Sequence, residues 1–169
     1  MAYWLLKSEG SCYSIDDLAR DRRTAWTGIR NFQARNYMRD GMKVGDLAFF
    51  YHSSGTPAEP TGIYGIAKIV GPAHLDETAL DPKDEHYDAK MAKAYKERNQ
   101  GLVPRSPELA KDIVGWVAVD IEFVEKFKKP IFLTDLKKDK ALAGMLVLRP
   151  GQRLSVMPVE EGEWKVIMK

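Results

Sequence analysis

The sequence predicts an α+β fold: a small curved sheet or open barrel of about five to six strands, mostly antiparallel or mixed, with short helices inserted between them. Three observations predict it. First, the 169 residues fit one domain, 1–169, because a chain near ~150 residues buries most of its apolar surface around one core. Second, runs with strand character recur along the chain, separated by short capped segments, without a regular βαβα alternation. Third, a composition of 44% hydrophobic and 30% charged residues is that of a globular chain, far from the disordered, collagenous or membrane classes.

The elements follow in order. Tyr3, Trp4, Leu5 and Leu6 form an apolar run that ends at Lys7 and the turn signal Ser8-Glu9-Gly10, as expected of a buried first strand. Ser14 with Asp17 three residues on forms a capping signal for a short helix to about Arg20, with Ile15 and Leu18 on one face. Asn31 is a suitable N-cap for a helix to about Arg39, stopping before Gly41. Residues 42–46 read as a turn, and 47–52 and 62–70 as strands separated by a loop at 53–57. The stretch 71–112 carries Pro72, Pro82, Pro104 and Pro107 and reads as a surface excursion with one helix near 88–97. Residues 114–127 alternate well enough for a long strand with one wet face. A further short piece begins at Ile131, Thr134 caps a helix through the following lysines, 153–156 forms a last strand, and 160–168 closes as a short helix carrying Trp164 and Ile167.

Charge and cysteine usage narrow the function classes. Cys12 is the single cysteine, so no internal disulfide and no multi-cysteine metal cluster can form, which fits a reducing compartment. Lys7 and Glu9 interrupt the first apolar run too soon for a signal peptide or a membrane span. The expected location is cytoplasmic, or nuclear for a eukaryotic source. Net charge is only +2, but seven basic residues against two acidic ones between Arg20 and Lys43 give a local +5. A second basic stretch covers 126–140, and 76–88 is acidic. Clustered positive charge is the footprint of a polyanionic partner, although solvated helix faces carry the same pattern.

Catalytic patterns are sparse. Phosphate-binding glycine loops and a Gly-x-Ser-x-Gly elbow are absent, and His52, His74 and His86 lack metal-ligand spacing. No metal and no cofactor are expected. Cys12 with His52 could form a nucleophile and base, and Glu9 or Asp46 could serve as acid or base; a lone cysteine is more often a buried apolar residue, and Gly45-Asp46 before a strand is more often a turn device.

The richest segment is Trp26-Thr27-Gly28-Ile29-Arg30-Asn31-Phe32-Gln33-Ala34-Arg35-Asn36. An indole can stack a splayed-out base, amides can read its edge, arginines can hold phosphates, and free amides at a helix start near Asn31 attract an anion. Trp26 is equally compatible with a packing anchor, and Arg30, Arg35 and Arg39 with a solvated helix face.

These residues, with Tyr3 to Glu9, Tyr13 to Leu18, Gly45-Asp46, Phe49 to Ser53 and Arg153 to Val156 in the same order, resemble the EVE domain over essentially the whole chain. The resemblance implies a PUA-like fold, a small curved β-barrel with helices between strands, related to the YTH readers of methylated RNA and the SRA readers of modified cytosine. It implies a binder of a modified base in DNA or RNA, not an enzyme. Carried over by motif, Lys7-Ser8-Glu9 matches Lys-Ser-Glu-Pro, Trp26 to Asn36 matches Trp-Asp-Gly-Val-Arg-Asn-Tyr-Gln-Ala-Arg-Asn, and Phe50-Tyr51-His52-Ser53 matches Phe-Tyr-His-Ser. The chain departs from the pattern at Gly10 for proline, Thr27 for aspartate, Ser54-Gly55 for Asn-Cys and Met157 for glutamine; loss of that amide bears on base choice.

The expected ligand-binding set is therefore Lys7, Ser8, Glu9, Trp26, Gly28, Arg30, Asn31, Gln33, Ala34, Arg35, Asn36, Phe50, Tyr51, His52 and Ser53. In the expected arrangement Trp26 stacks the base; Ser8, Asn31, Gln33 and Ser53 read its edge; Arg30, Arg35 and Lys7 hold the sugar-phosphate. Two alternatives come from other classes: a hydrolase-like enzyme acting on a nucleobase or nucleotide through Glu9 or His52, and a protein-interaction module with a basic surface.

Overall fold

A computed structural model describes residues 1–99 and 115–169, with side chains undescribed for 95–99. Its strands are β1 (Tyr3–Glu9), β2 (Arg23–Trp26), β3 (Leu47–Ser53), β4 (Gly62–Ile69), the two-residue β5 (His74–Leu75), β6 (Val117–Phe132) and β7 (Val156–Val159). The α-helices are α1 (Ile15–Asp21), α2 (Phe32–Asn36), α3 (Ala89–Asn99), α4 (Leu133–Lys138) and α5 (Glu161–Ile167). The sheet runs β2-β6-β4-β3-β1-β7, with β5 paired to the start of β6. It is a mixed sheet: β1 and β3 are parallel and the other pairs antiparallel. The ends of this path, β2 and β7, are not paired to each other, so the sheet is open rather than a closed barrel.

β1 and β3 read as near-continuous apolar runs because both are interior strands with two covered faces. Phe49 and Phe50 point to opposite faces. Phe49 stacks on Trp164 of α5 at 3.9 Å, while Phe50 meets Trp26 edge-on at 5.5 Å. Trp164 also stacks on Tyr3 at 4.5 Å, which seats the C-terminal helix across β1 and β3.

The expected cap of α1 is present as a reciprocal box: the Asp17 amide donates to Ser14 Oγ at 3.1 Å, and the Ser14 amide donates to Asp17 Oδ2 at 2.9 Å. The helix expected over 31–39 instead comprises α2, only five residues long, followed by a π turn at Tyr37–Gly41. α4 begins after Phe132, whose amide donates to Asp135 Oδ2 at 3.2 Å, so Thr134 lies inside the helix and is not its cap. The last strand starts at Val156, later than Arg153.

Two corrections concern strands. β2 was not expected, and the pieces expected at 114–127 and from Ile131 are a single 16-residue strand. Pro130 interrupts the pattern but not the strand, because β4 shifts register between Ile63 and Gly65, and residues 127–130 bulge there without ladder partners. A bulge is where a sheet accepts a residue with no N–H. The expected helix near 88–97 is α3; the rest of that excursion, at 100–114, lies outside the described residues. Among the described residues no helix is long and apolar enough to cross a membrane.

Candidate nucleic-acid interface

The ends of β1 and β2 and the turns after them enclose a cleft of about 350 Å³, lined by Lys7, Ser8, Tyr13, Thr24 to Ile29, His86 and Ser155. Trp26, the last residue of β2, is its floor and only 7% exposed. Its ring packs edge-on against Phe50 at 5.5 Å and Tyr13 at 6.4 Å. Packing on two sides thus holds its ring, and only a small part of the residue is accessible. Its Nε1–H is buried and has no hydrogen-bond partner among the described residues. Native interiors rarely leave such a donor unpaired.

The wall after Trp26 is built on a buried carboxylate. Asp76, with no exposed surface, accepts from the Gly28 amide at 2.8 Å, from Arg30 Nη1 at 2.9 Å and from the Thr78 amide at 2.9 Å, and from the Thr78 hydroxyl. Burial alone would raise the Asp76 pKa, but the bonds from Thr78, Arg30 and Gly28 outweigh it and hold the carboxyl below its ordinary value. Arg30 then reaches across to the backbone oxygen of His86 with Nη2 at 2.7 Å and Nε at 3.2 Å. Gly28 has φ +79, and a Cβ there would come 2.8 Å from His86 Nε2. Glycine is thus favoured by the backbone conformation, and a Cβ there would also displace the His86 ring.

Lys7 and Ser8 form the opposite side. The Lys7 amide donates to Ser155 O at 2.8 Å, which fixes the start of β7 beside them, and Lys7 Nζ lies 5.7 Å from the Tyr51 ring centre. Partial burial lowers the Lys7 pKa from its usual value.

Of the residues expected at the site, Lys7, Ser8, Trp26 and Gly28 meet at this cleft. Phe50 supports Trp26 from below and Tyr51 lies under Lys7. The others are engaged elsewhere. Asn31 Oδ1 accepts the Ala34 amide at 3.0 Å, capping α2, while the Arg35 amide donates to Asn31 O; Ala34 itself is fully buried. The Asn31 side chain is therefore used as the cap of this helix start rather than turned to a ligand. Gln33 donates to the Tyr37 hydroxyl at 3.2 Å, and Arg35 lies 4.9 Å from the Phe32 ring centre with Nη1 on Gly115 O at 3.3 Å and Nη2 on Asn36 Oδ1 at 3.0 Å. Arg30 is committed to Asp76 and His86 rather than free for phosphate.

His52 and Ser53 line a separate depression of about 150 Å³ with Gly10, Ser11, Ser54, Gly55, Thr56 and Glu59. The Ile15 amide donates to His52 Nε2 at 3.1 Å, which leaves the ring proton on Nδ1, and the ring stacks on Tyr64 at 4.1 Å. Burial lowers the His52 pKa, favouring the neutral ring. Cys12 Sγ donates to Glu9 Oε2 at 3.5 Å, while His52 Nε2 is taken by the Ile15 amide and its Nδ1 has no partner among the described residues, so neither side chain is bonded to it. Asp46 accepts from the Ala2 amide, Trp4 Nε1 and the Lys43 amide at 3.0, 3.0 and 2.9 Å, the pattern of a turn clamp. Among the described residues no three His, Cys, Asp or Glu side chains converge as metal ligands. Met157, expected near the site, is buried opposite Leu5 and does not line the cleft.

Sequence reasoning missed Asp76 and His86. The acidic character of 76–88 facing the basic segment 20–43 is the signal that connects them, because Arg30 needs a partner once buried.

An open mixed sheet with short helices between its strands and a cleft at its strand ends is an architecture of the PUA-like kind. The chain belongs to the EVE domain family, whose sequence profile matches residues 2–169. It is 35% identical over 185 residues to human thymocyte nuclear protein 1, covering 99% of this chain and 72% of that protein. To the Gallus gallus protein of the same name it is 36% identical over 184 residues, covering 98% and 67%. Among solved structures it is similar to a Pseudomonas syringae protein (42% identity, TM-score 0.80, 99% and 97% of the two chains). It is also similar to the human THYN1 protein in complex with 5-methylcytosine-containing DNA (34% identity, TM-score 0.77, 99% and 96%).

Proposed function

We propose that this chain is a non-catalytic nucleic-acid-binding module that holds one base, a modified one, in the cleft over Trp26. The observation that carries the reading is the cleft itself: a tryptophan held by Phe50 and Tyr13 lines it beside Lys7, Ser8, Thr27 and Ser155. At about 350 Å³ it lies at the small end of the ~300–1,000 Å³ typical of small-ligand sites. A base lying against the part of the indole that reaches the cleft gains stacking worth about 1–3 kcal/mol. Ser8, Thr27 and Ser155 line the cleft and offer hydroxyls to a base edge, and Lys7 supplies the cation for the sugar-phosphate. The DNA complex of the human relative, at 34% identity, supports the same ligand class.

A base modification such as a methyl group gains by filling apolar space near Trp26, about 1–3 kcal/mol for one such group, so selectivity over the unmodified base is moderate. Fluorescence anisotropy tests the proposal, using matched DNA and RNA oligonucleotides with and without a single 5-methylcytosine. Binding should be tighter to a modified strand and should be lost on Thr27→Trp, which fills the cleft from an exposed position. Full binding by that plugged variant would move the site elsewhere.

A further inference from the structure

A base held by stacking needs more ring surface than Trp26 offers. Three aromatic rings line the cleft: Trp26 is 7% exposed, Tyr13 is half-buried and bound through its hydroxyl to Asp21 at 2.9 Å, and the His86 side chain is 41% exposed. The backbone of His86 is fastened from two sides, by Arg30 on its oxygen and by Asp84 Oδ1 on its amide at 2.8 Å. The ring is not: its one polar contact among the described residues is Glu85 Oε1 at 3.4 Å, from a carboxylate 86% exposed. The Nε2 edge rests where Gly28 lacks a side chain, so Gly28 and the imidazole form one continuous wall.

We infer that His86 is a ligand-contacting, specificity-determining residue of this cleft. Its imidazole forms the wall that holds the base over Trp26, and Arg30 and Asp76 act as positioning residues that fix Gly28 and His86 relative to each other. The inference rests on the reading of the cleft as a base site. Histidine suits the place because it offers a stacking face together with a polar nitrogen edge.

The test is anisotropy titration of one 5-methylcytosine-containing DNA strand and its cytosine counterpart against the wild type, His86→Ala, His86→Phe and, as a control in the same loop outside the cleft, Lys83→Ala. Removing one base–aromatic stack should weaken binding of the modified strand about 5- to 100-fold, with the melting temperature unchanged. His86→Phe should recover part of the loss, and Lys83→Ala should bind as the wild type does. Wild-type binding that His86→Ala leaves within about twofold overturns this inference alone. An equal loss of melting temperature would make His86 a loop anchor and overturn it as well. If the wild type binds neither strand, the base-site reading fails and this inference with it.

Discussion

Asp76→Ala removes the acceptor shared by Gly28, Arg30 and Thr78 and leaves the Arg30 guanidinium, 23% exposed, without its counter-ion. Breaking a buried pair from one side costs about 3–5 kcal/mol. The lower end applies, about 3 kcal/mol, because Arg30 reaches solvent in part and keeps its bonds to His86 O and Thr78 Oγ1. At about 2–4 °C per kcal/mol for a domain of this size, the expected drop in Tm is about 6–12 °C. Asp76→Asn keeps one acceptor oxygen and should lose about half as much. Urea unfolding followed by far-UV circular dichroism measures both, and an unchanged m-value shows that the two states compared are the same. A loss below about 1 kcal/mol for Asp76→Ala would refute the view that this carboxylate organises the cleft wall.

Gly28→Ala combines a left-handed backbone, costing about 1–2 kcal/mol, with a displaced His86 ring; it should lower stability by that amount and weaken ligand binding further than stability alone explains, as parallel melting and anisotropy measurements would show. His52 contributes a pH dependence: burial lowers its folded pKa below 6.5, so the unfolded chain takes up the proton first as pH falls. Its contribution is full above about pH 6.5 and is lost as pH falls toward the folded pKa. His52→Gln should flatten the wild-type decline of unfolding free energy in that window, and identical slopes would contradict the burial argument. Trp164→Ala, which strips the stacking partner from Phe49 and Tyr3, should cost about 3–5 kcal/mol by denaturant unfolding.

Much of the sheet was legible because its central strands are covered on both faces, which forces unbroken apolar runs at 3–6 and 47–52. β2 escaped because it is a four-residue edge strand with Arg23 and Ala25 exposed and only Thr24 and Trp26 turned inward. Period two over four residues with charge at one end is too short a signal to separate from a loop. The pieces at 114–127 and from Ile131 looked separate because residues 127–130, with Pro130 among them, bulge out of the ladder without ending the strand. The parallel pairing of β1 with β3 depends on the crossover through α1, β2 and α2, and no local pattern encodes it.

Of the expected site residues, some share the candidate cleft and others do not. Trp26 and Gly28 stand out as residue types, and Lys7 and Ser8 through the family pattern, and all four meet at the cleft. Asn31, Arg30 and Arg35 looked like ligand groups because their chemistry suits nucleic acid, yet each satisfies a need of the fold first: a cap, a buried carboxylate, an aromatic stack. Polar groups near a buried wall are consumed by local backbone donors and acceptors before any ligand arrives. Asp76 and His86 come from a segment more than forty residues away, and their place is set by tertiary packing.

The indole N–H resonances provide the most direct test of the central claim. Four tryptophans are present; Trp4 Nε1 is bonded to Asp46 and Trp116 Nε1 to Asp88, whereas Trp26, which lines the cleft, has a buried Nε1 without a partner among the described residues. In a ¹⁵N-labelled sample titrated with a 5-methylcytosine-containing oligonucleotide, with the peak assigned by Trp26→Phe, the Trp26 indole signal should shift as the ring current of a base reaches it while the Trp4 signal stays in place. A Trp26 signal that does not move in a saturated complex would contradict the account.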